Sequence, residues 1–199
     1  MAAAVIMYNE AMGRWEPNTR VRLEQAALDL YSERGFEQTT VADIAKRAGL
    51  TERTFFRHFG DKREVLFGGS AALKHLLVSA VSAAPASAAP IDAIGAALEA
   101  AGAAFEGRRA IARHRQVIID ANPELQEREL IKLASLASEL AAALRLRGVG
   151  EPAASLTAEA GIAVFKVAFL RWINETDGPE MPHIIRESIN ELKAVTAGK

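Results

Sequence analysis

The chain has 199 residues, half of them apolar and a quarter charged, with a formal net charge of −1 and no cysteine. That length holds one domain with a sizeable core or two small ones, and the lack of cysteine excludes disulfides, thiolate metal sites and a thiol nucleophile. The apolar start from Met1 to Met7 is short and has no Lys or Arg before it, so no secretion signal is expected. The most apolar later stretch, residues 160–174, carries Lys166 and Arg171 and is too short to span a bilayer, so no membrane partner is expected.

Helix formers dominate, and no run alternates β-branched residues, which predicts an all-α chain. Residues 1–17 lack helical periodicity and are expected to form a flexible N-terminal arm. Asn18 or Thr19 caps a first helix that runs to about Arg34 and stops at Gly35. Its Leu23, Ala26, Ala27, Leu30 and Tyr31 repeat at the spacing of one buried face. Thr40 caps a short helix with Val41, Ile44, Ala45 and Ala48 inward, ended by Gly49. Thr51 caps another, with Phe55 and Phe59 inward. Asp61 is expected to cap a long helix through Leu66, Ser70, Leu73 and Leu77. The prolines of segment 83–90, Ala-Ala-Pro-Ala-Ser-Ala-Ala-Pro, exclude a continuous helix and suggest a boundary. That divides the chain into an arm (1–17), an N-terminal domain with its connecting helix (18–82) and a C-terminal domain (83–199). Beyond the boundary, helices are predicted at about 91–106, 108–121, 123–147, 152–176 and 180–196.

The informative stretch is Thr40 to Lys62. Two short helices joined by a glycine-containing turn make a helix-turn-helix. Ala45 is small enough for the second helix to cross the first closely. Gly49 supplies the tight turn and Leu50 plugs the angle. Phe55 and Phe59 anchor the second helix, which leaves Glu52, Arg53, Phe56 and Arg57 pointing outward, where a major groove can meet them. From Lys46 to Arg63 there are six basic residues (Lys46, Arg47, Arg53, Arg57, Lys62 and Arg63) against two acidic ones, Glu52 and Asp61. The net +4 contrasts with the chain total of −1 and suits neutralisation of phosphates. The bland alternative is a pair of ordinary solvated helices.

Residues 20–67 resemble the DNA-binding domain of the TetR family. The resemblance is carried by Ala26-Ala27-Leu28 with Gly35-Phe36, by Thr39-Thr40-Val41 with Ile44-Ala45, by Ala48-Gly49-Leu50-Thr51, and by Thr54-Phe55-Phe56-Arg57-His58-Phe59 with Asp61-Lys62. It covers about a quarter of the chain. It implies a three-helix DNA-binding head, a connecting fourth helix, and a helical ligand-binding and dimerisation body. In such proteins the residues at the positions of Thr40, Thr51, Thr54, His58 and Lys62 meet DNA, largely at phosphates. The position of Phe56 is usually Tyr, whose hydroxyl reaches a phosphate. Phe56 has none, so that contact is in doubt, while its ring can still pack on the sugar-phosphate backbone. Arg53 and Arg57 are candidates for base edges, since Arg pairs bidentately with guanine; a phosphate contact is the equal alternative.

Residues 160–174 are apolar nearly all round, and such a helix must be covered on every side. The resemblance implies that the last two helices pair with their copies in a homodimer, with Phe165, Phe169, Ile185 and Ile189 as candidate interface residues. Arg108, Arg109, Arg113, His114 and Arg115 cluster on one predicted helix. Together with the segment from Asn122 and the Leu-rich helix after it, they resemble the branch of the family that senses acyl-coenzyme A thioesters. Arg109, Arg113, His114 and Trp172 are therefore candidate effector contacts, set against a solvated basic face and ordinary core packing.

No HExxH, GxGxxG, Walker-type or GxSxG pattern occurs, and the four histidines lack metal-ligand spacing. Neither enzyme activity, cofactor nor metal is expected. The sequence predicts a cytoplasmic, nucleoid-associated repressor. As a homodimer it would bind an inverted-repeat double-stranded DNA operator, and a small hydrophobic effector, with acyl-CoA as the candidate, would release it.

Overall fold

The computed structural model describes residues 19–175 and 177–198; the expected arm, 1–17, lies outside them. Among the described residues there are nine α-helices and no strand: α1 (Thr19–Arg34), α2 (Val41–Arg47), α3 (Glu52–His58), α4 (Ser70–Ala83), α5 (Pro90–Ala103), α6 (Arg109–Asp120), α7 (Pro123–Leu146), α8 (Ala153–Asn174) and α9 (Met181–Thr196). The all-α expectation holds, and most helix ends fall within one to three residues of the predicted ones. The helices form two compact units. One comprises residues 19–70 with 111–130, the other 71–110 with 131–198.

In the first unit α1 ends where Gly35 turns to φ +85°, a conformation that costs glycine little and other residues much. α2 starts at a capping box. The Thr40 hydroxyl accepts from the Asp43 amide at 3.1 Å, and the Asp43 carboxylate accepts from the Thr40 amide at 3.1 Å. Gly49, at φ +66°, makes the turn, and the Leu50 amide folds back onto the Ala45 carbonyl at 2.8 Å. The core joins Leu23, Leu30 and Tyr31 of α1 to Phe36, Ile44, Phe55 and Phe59, with Ile118, Ile119 and Leu125 supplied from far along the chain.

The long helix expected from Asp61 is interrupted. Asp61 does cap, accepting from the amides of Arg63 (2.9 Å) and Glu64 (3.0 Å), but what it starts is a short 3-10 turn, Glu64–Phe67. The Arg20 guanidinium then takes the Gly68 carbonyl, and α4 begins only at Ser70.

In the second unit α5, α8 and α9 pack on one another. Two α5 glycines let α9 approach: Ile189 lies over Gly95 and Ile185 over Gly102. On α8, Gly161 faces Ile94. Leu77 and Val81 of α4 and Leu140 and Leu144 of α7 are buried. Segment 83–90 lies within the second unit, where the Arg147 guanidinium gathers the carbonyls of Val81 (3.1 Å), Ala84 (2.5 Å) and Pro85 (2.7 Å). The units divide instead at the start of α4, inside α6 and inside α7. By length and composition α8, at 22 residues, is long and apolar enough to cross a membrane; it extends seven residues or so before the apolar stretch read from the sequence. Its Ala158, Ile162, Phe165, Ala168 and Trp172 are buried in the helical pack, as in the core helix of a globular protein.

A Cβ on Gly161 would lie 2.5 Å from Cγ2 of Ile94, a β-branched side chain with little freedom to yield. Gly161→Ala is therefore expected to lose about 1–3 kcal/mol to overpacking, partly offset by about 1 kcal/mol of helix propensity. Gly60→Ala, where nothing lies within 4 Å of the new methyl, should leave the urea midpoint near wild type. Equal midpoints for the two variants would contradict the close approach of α5 and α8.

Candidate nucleic-acid interface

α3 has only seven residues, too few to hold a helix unaided. Thr51 caps it, accepting from the Thr54 amide at 3.2 Å, with the two hydroxyls 3.0 Å apart. Phe55 is fully buried and its ring lies 5.5 Å from that of Phe59. With that face fixed, Glu52, Arg53, Phe56 and Arg57 are exposed, as the spacing predicts. Arg53, Thr54 and Arg57 line a shallow concavity of about 390 Å³. Thr40 and Thr51 are exposed at the starts of α2 and α3, and His58 is half-buried with its ring 6.4 Å from that of Phe59.

The basic patch is smaller than the composition suggests. Arg47 makes a two-pronged pair with Glu33 at 2.9 and 2.6 Å. The Glu33 carboxylate is held below its usual range by that hydrogen bond, and Arg47 is raised by it. Arg63 is turned onto Asp61 at 2.7 Å. Lys62 departs most from expectation. Its ammonium donates to the carbonyls of Phe36 (2.9 Å), Glu37 (3.3 Å) and Thr39 (3.1 Å) and lies 4.2 Å from the centre of the Phe36 ring. The Lys62 carbonyl accepts from the Tyr31 hydroxyl at 2.6 Å, and burial raises the Tyr31 phenol well above its ordinary value. Lys62 therefore ties the α1–α2 loop to the end of α3, and it does not stand at the start of an α-helix.

A profile of the bacterial regulatory proteins of the tetR family matches residues 24–67, the stretch that holds α2, α3 and most of α1. Over that stretch the chain is similar to the tetR family. Among its relatives is the HTH-type transcriptional regulator TcmR of Streptomyces glaucescens. It is 38% identical over 79 residues, which are 40% of this chain and 35% of TcmR. The match to the curated relatives spans a third or so of their own length, or less. Among solved structures, a transcriptional regulator from Rhodococcus sp. Rha1 is 25% identical with a TM-score of 0.52, over 87% of this chain and 95% of that one. The regulator FadR of Bacillus subtilis, solved with stearoyl-CoA, is 16% identical with a TM-score of 0.60, over 86% and 96% of the two chains. At that identity the second likeness shows the fold alone. These relatives are named as regulators, not enzymes.

The rest of the chain disposes of several residues differently from the sequence reading. Of the four effector candidates, Arg109 and Trp172 belong to the second unit, Arg113 and His114 to the first. Arg109 donates to the carbonyls of Glu175 (2.8 Å), Gly178 (3.1 Å) and Pro179 (2.8 Å) and lies 5.5 Å from the Trp172 ring centre. It clamps the loop between α8 and α9. Trp172 is fully buried against Phe105 and Phe169. His114 is exposed and pairs with the Ser32 hydroxyl. Of the dimer candidates, Phe165, Ile185 and Ile189 are buried within this one chain, and Phe169 is half-buried beside Phe105, Phe165 and Trp172. Their apolar side chains pack in the core of the second unit.

Sequence reasoning missed three arginines that act inside the head's unit. Arg22 caps α2 at the Ala48 carbonyl. Arg128 bridges Asp61 (3.2 Å) and Glu64 (3.1 Å). Arg115 donates to the Leu66 carbonyl at 2.6 Å, stacks 4.9 Å over Phe67 and pairs with Glu129 at 3.4 Å. Burial lowers the Arg115 pKa, opposed by the Glu129 charge. A run of basic residues in the sequence signals charge; it does not tell which arginine turns inward.

Lys62→Ala removes a charged donor from three carbonyls and is expected to cost about 1.5–3 kcal/mol of stability, read as a lower urea midpoint. A midpoint equal to wild type would contradict the tie.

Proposed function

We propose that the protein is a DNA-binding transcriptional regulator of the repressor type, acting as a homodimer on an inverted-repeat operator and released by a small hydrophobic effector. One observation carries the DNA-binding part. α3 is anchored by Phe55 and Phe59 and turns Arg53, Phe56 and Arg57 to solvent beside the exposed caps Thr40 and Thr51. That is the form of a recognition helix whose outer face enters a major groove. Arg53 and Arg57 supply the donors for guanine edges or phosphates. Thr40, Thr51, Thr54 and His58 sit around them, while Lys62 acts by holding the loop before α2. Such an activity belongs in the compartment that holds the chromosome, the cytoplasm.

Support for the homodimer lies on α8, away from the residues first considered. Leu156, Val167 and Leu170 are 66%, 61% and 45% exposed. With Ala160 and Ala163 they recur at alternating steps of four and three, the spacing of a helix-pairing seam. A two-fold pairing there brings two recognition helices to one duplex. Val167→Glu, on a surface position, should leave the fold intact and convert a dimer to a monomer in sedimentation at micromolar concentration. A wild-type monomer, or a Val167→Glu dimer of unchanged strength, would contradict the seam.

The effector reading is supported by the likeness of fold to FadR, which was solved with stearoyl-CoA. Calorimetry over a series of acyl-CoA chain lengths tests it. Binding heat with a negative heat-capacity change that grows with chain length is expected. A silent series removes acyl-CoA and leaves the DNA-binding reading standing. That reading is itself tested by selection from random duplex DNA. Enrichment of an inverted repeat with half-sites about one helical turn apart, or somewhat more, is expected; no enrichment would overturn it.

A further inference from the structure

Phe56 is the apolar side chain that α3 gives to water. It is 55% exposed on a helix whose other outward residues are charged or polar. Its ring is not loose. It makes a T-shaped contact with the buried Phe55, with centroids 5.5 Å apart and planes at 84°, so part of the side chain is packed while more than half stays exposed. It lies between Arg53 and Arg57 in the chain, the two arginines that line the concavity on this helix. Exposing about half of an aromatic side chain forgoes hydrophobic stabilisation.

Resting on the DNA-binding reading above, we propose that Phe56 is a base-reading residue: its ring meets the C5 methyl of a thymine in the major groove, at a position next to the one that Arg53 or Arg57 contacts. The chemistry favours the base over the backbone. A phosphate presents charged oxygens, which lose hydration without gaining a partner when a phenyl ring covers them. A thymine methyl is the apolar group that the major groove offers, and an apolar side chain is its match. Phe56 stands at the fifth of the seven α3 positions, on the face that also carries the guanidinium groups. A groove that accepts those groups therefore brings base edges to the ring as well. The flanking guanidinium groups bring the duplex in by its charge, and the ring adds selectivity that charge lacks.

The test replaces each thymine of the selected site, one at a time, by deoxyuridine, which differs only in lacking the C5 methyl. Affinities are read for wild type, Phe56→Ala and Phe56→Leu. Wild type should bind one deoxyuridine substitution per half-site about fourfold more weakly, the effect of one buried methyl-sized group, and be indifferent to the others. Phe56→Ala should bind the thymine and uracil forms of that position equally, while Phe56→Leu keeps part of the discrimination. If wild type ignores every deoxyuridine substitution, the inference is overturned. It is also overturned if Phe56→Ala weakens all duplexes equally and retains the wild-type deoxyuridine penalty, which is the signature of packing on the backbone. In both cases DNA binding itself survives. A protein that enriches no sequence fails at the DNA-binding reading instead, so the two failures are distinct.

Discussion

Two phenylalanines four residues apart make the rest of the head possible. α3 is less than two turns long, and nothing in seven residues repays the ordering of its backbone. Burial of Phe55 and Phe59 against α1 and α2 does, at roughly 1.5–3 kcal/mol per fully buried side chain. Because the buried face is fixed, so is the opposite one, and the direction of Arg53, Phe56 and Arg57 follows from helix geometry. Gly49 completes the constraint: its positive φ swings α3 across α2, and Arg22 closes the end of α2 there. The exposed face of α3 is thus a by-product of a core.

That core is not made by the contiguous N-terminal segment alone. Ile118 and Ile119 of α6 and Leu125 of α7 are part of it. Arg115 and Arg128 hold the residues after Asp61 with hydrogen bonds and ion pairs. The unit that holds α3 therefore has a second, distant stretch of chain as a structural member. Local opening of that stretch would expose apolar surface of the head itself.

Much of the helical plan is legible in the sequence because its punctuation is local. Gly35, Gly49, Gly107 and Gly148 all adopt positive φ and all fall where the residue pattern ends a helix. Thr40 and Thr51 cap as their side chains dictate. What is illegible depends on partners distant in sequence. Segment 83–90 has the composition of a linker, and the pull of Arg147 on its carbonyls is invisible in that composition. Lys62 has a flexible stem, so its spacing on the chain does not say whether its ammonium turns out to a phosphate or in to the loop at residues 36–39. An all-round apolar helix such as α8 announces that every side is covered, without saying which side the chain covers itself. Hence the pattern does not separate Phe165, which is buried within the chain, from Val167 and Leu170, which are exposed. Phe56 stands out in the sequence as a departure from the pattern of the family that this segment resembles, but its exposure and its packing on Phe55 are seen only in the structure.

The central claim is that the exposed face of α3 meets DNA through its arginines. The most direct measurement is the salt dependence of the dissociation constant for a duplex, read by fluorescence anisotropy for wild type and for the Arg53→Ala, Arg57→Ala double variant. The account predicts that wild-type affinity falls steeply and linearly on logarithmic axes as salt rises. It also predicts a shallower slope for the double variant, by about one for each phosphate that is no longer neutralised, or an unchanged slope with relaxed base preference where an arginine reads guanine. A variant that matches wild type in affinity, slope and preference would contradict it.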